Sequence, residues 1–357
     1  MKKNIKEKLK NLLKKRILIL DGAMGTMIQR HKLTEDDYRG NEFKNYHKSL
    51  KGNNDLLSLT KPEIIREIHV EYLKAGADII TTNTFNANAV SLTDYDMSSL
   101  TYRLNKTSAE IARKAVESFG NRDKFVAGSI GPTNRTLSIS PKVSDPGYRD
   151  VTFDEVVNGY YAQVKGLADG GVDLFILETI FDTLNAKAAL YAIDKYKNEY
   201  MVDIPVMVSV TIVDLSGRTL SGQTLEAFWT SVSHYELFSV GINCSLGPTQ
   251  MRPYIEELSS MAPIYTSLYP NAGLPNEFGE YEETPEQMAA VLKSYAEEGY
   301  LNILGGCCGT TPQHIREFSE AVKNVTPRIL PKVKRHPQFS GLETLTVLPS
   351  TNFINVG

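Results

Sequence analysis

Cysteine is nearly absent from this chain: 357 residues contain three, at 244, 307 and 308. An odd and sparse set excludes a disulfide framework and leaves metal binding or thiol chemistry as the specific uses. Long apolar runs are also missing. No stretch would span a bilayer, and no short apolar segment near the start has the form of a secretory signal, so a cytoplasmic protein is expected. Neither sign of charge dominates, with 39 basic and 42 acidic residues, which gives no electrostatic ground for nucleic acid or membrane as a partner. Neither G-x-G-x-x-G nor a Walker A sequence follows any candidate strand, which counts against a doubly wound nucleotide-binding sheet. No lysine stands at a candidate strand C-terminus, which counts against a Schiff-base aldolase.

What is present is alternation. Short β-branched runs at 16–20, 78–82, 124–130, 172–178, 204–212, 237–243, 262–268 and 301–306 read as eight strands. Amphipathic stretches at 62–75, 103–119, 153–169, 183–199, 223–235, 250–261, 284–298 and 312–323 read as the helices between and after them. Gly76 supplies a left-handed helix cap ahead of the second strand, and Gly170-Gly171 repeats the device ahead of the fourth. Eight strand and helix pairs predict an α/β (β/α)8 TIM barrel with long loops after strands 1 and 3, at 21–61 and 131–152. Both loops lie at strand C-termini, where such barrels keep their active sites. The start, residues 1–16, is a basic segment in which Ile5, Leu9, Leu12 and Leu13 recur at helical spacing, predicting an N-terminal helix packed on the barrel. Residues 1–325 therefore form one barrel domain. The proline-rich 326–357 reads as a linker that wraps or leaves it, ending in NFINVG as if towards a missing following domain.

All three cysteines follow strands 6 and 8 at the barrel's functional end. Neighbouring side chains on an extended strand point to opposite faces, so Cys307 and Cys308 reach one ion only if the backbone turns between them. Gly305, Gly306 and Gly309 permit such a turn. Three thiolates suit tetrahedral zinc with its fourth position open, the pattern of a catalytic site. Core packing and a strained vicinal disulfide are the competing uses. Asp21, Gly22, Ala23 and Met24 follow strand 1 in a glycine-bearing turn, whose N–H groups offer a nest for a carboxylate. Glu178 closes an apolar strand and needs a cationic partner, either a substrate ammonium or a neighbouring Arg or Lys. Asn243, beside Cys244, orients a ligand or the metal shell, or caps backbone. Asn83, Thr84 and Phe85 line the same mouth without assignable roles. His314, in the first turn of the last helix, is not expected as a fourth ligand, since catalytic zinc reserves that position.

The motifs ILDGAMGTMIQ (19–29), TNTFNAN (82–88), GPTNRT (131–136), LETIFDTLNAKAA (177–189), INCSLGP (242–248), PNAGLPN (270–276) and GGCCGTTPQHI (305–315) resemble those of the homocysteine S-methyltransferases. The likeness is strongest to the homocysteine-binding module of the cobalamin-dependent methionine synthases. It implies that Cys244, Cys307 and Cys308 hold zinc, which takes the homocysteine sulfur as fourth ligand, while Asp21 and Glu178 meet the amino-acid end. It further implies methionine formation, with methylcobalamin on a separate cobalamin-binding module as donor and a folate-binding module in the same or a partner chain. A stand-alone enzyme using betaine or S-methylmethionine, and a non-catalytic zinc or redox barrel, are the alternatives.

Overall fold

The computed structural model describes residues 5–120, 123–213, 215–334, 336–351 and 353–354. Residues 1–4 of the expected first helix, and 352 and 355–357 of NFINVG, lie outside the described residues. Eight strands form one parallel sheet: β1 (Leu18–Ile19), β2 (Ile79–Thr81), β3 (Phe125–Ile130), β4 (Leu174–Ile180), β5 (Val206–Val210), β6 (Ser239–Asn243), β7 (Tyr265–Tyr269) and β8 (Ile303–Leu304). Their order runs β1-β8-β7-β6-β5-β4-β3-β2. The ring closes where Leu20 bridges Ile79 in parallel sense and the Asp78 N–H donates to the Ile19 carbonyl at 2.7 Å. The fold is the predicted (β/α)8 barrel.

The eight expected helices form within two or three residues of their predicted ends, for example Pro62–Ala75, Phe153–Asp169 and Pro312–Val322. Gly76 and Gly171 take the left-handed conformation, at φ 113° and 97°. Two residues after each glycine, an aspartate ends the turn and serves the preceding strand. Asp78 accepts the Ile19 N–H at 3.0 Å, and Asp173 accepts the Val126 N–H at 2.9 Å, with Arg16 and Arg113 as their respective counter-charges.

Apolar residues divide into two layers. One lies between strands and helices; the other fills the barrel with Leu18, Leu20, Ile79, Phe125, Ile176 and Ile303 among others. The N-terminal helix Ile5–Leu13 contributes Leu9 and Leu13 to the inner layer, both buried. Each buried leucine stabilises by roughly 1.5–3 kcal/mol, while the basic face of the helix meets Asp203, Glu236 and Asp123. The end of the barrel opposite the strand C-termini is thereby closed.

The insertion after β1 folds into short helices at Met24–Arg30, Glu35–Arg39 and Leu57–Thr60, whereas 131–152 carries no helix or strand. Beyond the last barrel helix the chain runs along the barrel. Buried Arg328 donates to the carbonyls of Ser259, Ala262 and Ile264. A hairpin of β9 (Gln338–Ser340) and β10 (Thr344–Thr346), not anticipated in the proline-rich reading, then lies on helix Leu225–Val232. Its register comes from tertiary bonds, including Thr224 N–H to the Leu342 carbonyl at 2.9 Å, so no local sequence pattern announces it.

Candidate active site

The three cysteines converge. Their Sγ atoms lie within 4.8 Å of one another, and those of Cys244 and Cys308 are 3.9 Å apart. Tetrahedral zinc with sulfur at about 2.3 Å separates its ligand atoms by about 3.8 Å, so the cluster fits that ion with small side-chain adjustments. All three are half-buried free thiols. A group of three or more candidate ligands occurs nowhere else among the described residues.

The backbone reaches this arrangement differently from the sequence expectation. Gly305 and Gly306 have no left-handed conformation; they are small because a Cβ would stand 2.7 Å from Leu20 Cβ and 2.4 Å from Thr310 Oγ1. Only Gly309, at φ 80°, supplies conformational freedom. Thr310 turns the chain by donating its N–H and its hydroxyl to the Cys307 carbonyl at 3.1 and 2.6 Å. Asn271 accepts the Cys308 N–H at 3.1 Å, and Ala272 donates to the Cys308 carbonyl at 2.8 Å. On the other side, Cys244 and Ser245 are themselves left-handed, at φ 63° and 60°. Such conformations are costly for residues with a Cβ and concentrate at functional sites.

Glu178 projects inward from β4 and accepts a hydrogen bond from Ser129 at 2.5 Å. Among the described residues no Lys or Arg forms an ion pair with it. Asp21 is buried, and both its oxygens accept from Thr81, the backbone N–H at 2.8 Å and the hydroxyl at 3.1 and 3.2 Å. Those bonds tie the ends of β1 and β2 together. Neither Gly22 nor Gly25 is left-handed, so the turn is not an alternating-hand nest. Gly22 is required by space, since a Cβ there would sit 2.8 Å from Thr310 Oγ1 and 3.0 Å from the Tyr72 ring. Ala23 donates its N–H to Thr310 Oγ1 at 3.2 Å, and its carbonyl accepts from the Tyr72 hydroxyl at 3.0 Å. Met24 begins the short helix.

A family model for homocysteine S-methyltransferase matches residues 18–322. The chain belongs to that family. In fold it is similar to the metallated form of the homocysteine methyltransferase MmuM of Escherichia coli, with 24% identity over 88% of this chain and 99% of that one and a TM-score of 0.69. The apo form of the same protein matches at 22% identity over 89% and 100%, with a TM-score of 0.63. This homocysteine S-methyltransferase is accordingly a methyltransferase built on a TIM barrel.

The electrostatics of the methyltransferase's mouth follow from crowding. Hydrogen bonds with Cys244 and Cys307 draw the Cys308 thiol down to about 3, while hydrogen bonds with Cys244 and Cys308, together with burial, push Cys307 up. Burial pushes Glu178 up to about 7 against the lowering effect of Ser129, and the Cys308 charge adds to the rise. Burial likewise raises Asp21 well above the carboxylate range, with Glu178 contributing. Burial is thus the first cause of both rises.

Asn243 is fully buried in the methyltransferase. Its Oδ1 accepts the Thr179 N–H at 3.0 Å and the Ser209 hydroxyl at 2.7 Å, and its Nδ2 donates to Thr179 Oγ1 at 2.8 Å and approaches Cys307 Sγ at 4.0 Å. Asn83 donates to the Asn54 carbonyl and Thr84 to the Ser129 carbonyl, at 2.8 and 2.7 Å, while the Phe85 carbonyl accepts from Gly131 at 3.1 Å. These three build the wall between the loops after β1, β2 and β3. His314 Nδ1 accepts the Thr311 N–H and Nε2 donates to the Glu283 carbonyl, so both nitrogens are engaged away from the thiols. Sequence reasoning passed over Thr179, Asn271 and Thr310. Each acts through a hydrogen bond to a distant strand or to a carbonyl, which composition and spacing do not encode.

Proposed function

We propose that this chain forms methionine by S-methylation of L-homocysteine, holding the substrate sulfur at a zinc ion bound by Cys244, Cys307 and Cys308. The observation that carries the reading is the pairing of three convergent sulfurs with an uncompensated carboxylate, Glu178, in one barrel mouth. Zinc at such a thiolate set would supply Lewis acidity, making a substrate thiol a thiolate at neutral pH. Glu178 takes the substrate ammonium as its missing cation, and Asp21 stands behind it. The turn Gly22-Ala23-Met24 faces the substrate carboxylate. Asn243 orients the thiol end through Cys307. Three thiols that must stay reduced suit a cytoplasmic setting.

The methyl donor of this reading is methylcobalamin carried by a separate module, with a folate-binding module in the same or a partner chain. Incubating the zinc-loaded chain with homocysteine and, in separate reactions, methylcobalamin, betaine or S-methylmethionine tests it. Slow methionine formation with free methylcobalamin supports the reading. Rapid turnover with betaine or S-methylmethionine, and none with methylcobalamin, identifies a stand-alone enzyme instead.

A further inference from the structure

Strand β4 breaks its pairing just where Glu178 leaves it. Leu177 pairs with Val208 and Ile180 with Val210, so Glu178 and Thr179 together stand opposite Ser209 alone. That is a β-bulge, a device that re-aims side chains next to active sites. Its effect here can be read from the packing: Ile176 faces the barrel interior, whereas Ile180, four residues on, packs in the layer between strands and helices. Uninterrupted alternation would put both on the same face.

The bulge is held in a conformation its sequence disfavours. Thr179 has φ 57°, and a β-branched residue is a genuine outlier in the left-handed region. Such a state persists only where surrounding bonds over-determine it. Asn243 provides them from β6, two strands away, gripping both the N–H and the hydroxyl of Thr179. Donor and acceptor roles leave no alternative orientation: the Thr179 N–H can only donate, so the amide oxygen faces it, and the amide nitrogen faces Thr179 Oγ1 and Cys307.

We propose that Thr179 is a positioning residue for substrate recognition, the strained latch through which Asn243 fixes the backbone next to Glu178 and so the place of its inward-facing carboxylate in the mouth. The proposal rests on the reading that Glu178 meets the substrate ammonium. Thr179 touches no substrate atom and acts on affinity only through the carboxylate beside it.

The test is calorimetric titration of the zinc-loaded chain with homocysteine and with 4-mercaptobutanoate, which keeps the thiol and carboxylate but lacks the amine. Thr179→Ala should weaken homocysteine about tenfold, the low end of what losing the geometry of the Glu178–ammonium hydrogen bond would cost, and leave 4-mercaptobutanoate within twofold. Thr179→Ser, which keeps the hydroxyl, should restore homocysteine binding. If the alanine variant does not fold, Thr179→Gly removes the same hydroxyl at a backbone conformation glycine adopts freely, with the same expected loss. In a Glu178→Gln background, Thr179→Ala should add less than twofold, because its route is already cut. Equal weakening of both ligands by Thr179→Ala, or full multiplication of the two single effects, overturns the proposal. Failure of Glu178→Gln itself to discriminate the two ligands overturns the underlying reading, and with it this one.

Discussion

The Sγ atoms of Cys244 and Cys308 stand 3.9 Å apart although 64 positions separate the two residues. One follows β6 and the other β8, with only β7 between them in the ring. Backbone bonds hold both cysteines in place: the Cys244 N–H donates to the Tyr269 carbonyl at 3.4 Å and the Cys308 N–H to Asn271 Oδ1 at 3.1 Å.

Metal content is the first consequence. The purified chain should carry about one zinc ion per molecule, and Cys244→Ala, Cys307→Ala or Cys308→Ala should each reduce it sharply and abolish methyl transfer. Far-UV circular dichroism should be unchanged, since the apolar layers inside and outside the barrel do not involve the metal. Unaltered zinc in all three variants, measured by elemental analysis, would exclude the assignment.

Glu178 gives a prediction in affinity and in pH. A charge-assisted hydrogen bond to an ammonium contributes on the order of 1.5–3 kcal/mol, so Glu178→Gln should weaken homocysteine by about 10- to 150-fold and a thiol lacking the amine far less. Burial holds this carboxyl at about 7, so below that pH it is protonated and cannot meet the ammonium. Homocysteine affinity should fall as pH drops through 7, and the dependence should flatten by up to one proton in Glu178→Gln. Identical pH profiles for the two proteins would remove Glu178 from recognition.

Homocysteine binding should also release a proton, because the thiol arrives as RSH and remains as thiolate. Titrations at pH 7 in buffers of different ionisation enthalpy should then yield different apparent enthalpies. A buffer-independent value would contradict thiolate formation.

His69 sets a stability prediction away from the site. It is fully buried with neither ring nitrogen partnered, and burial lowers it to about 4. The unfolded chain takes up this proton below about 6.5 while the folded chain resists until about 4, so stability is lost as pH falls across that interval, by at most about 3 kcal/mol. His69→Leu should flatten the difference between denaturation midpoints at pH 7 and pH 4.5. Equal pH sensitivity in both proteins would show that the imidazole finds a partner when charged.

Gly306 offers a steric test. A Cβ there would lie 2.4 Å from Thr310 Oγ1 and 2.7 Å from its Cβ, and overpacking of this kind costs roughly 1–3 kcal/mol. Gly306→Ala should lower zinc affinity more than it lowers the melting temperature, because Thr310 also fixes the Cys307 carbonyl. Wild-type metal affinity in this variant would show that the turn can shift without moving the thiols.

The barrel was legible in the sequence because each of its signals is local. Strand runs such as VDLFILE, helix patterns of period 3.6, and Gly76 or Gly171 at a helix end express short-range steric and solvation preferences that survive into the fold. The cysteine set was legible for a related reason: three cysteines in 357 residues, all at strand ends, leave few alternatives once the strands are counted. Tertiary structure alone decided the rest. Gly305 and Gly306 are glycines because Leu20 and Thr310 occupy the space a side chain would need, and Thr179 is left-handed because Asn243, 64 residues on, binds it twice. Closure of the ring brings Leu20 against Gly305 and β6 within reach of β4, across separations that no local sequence pattern records.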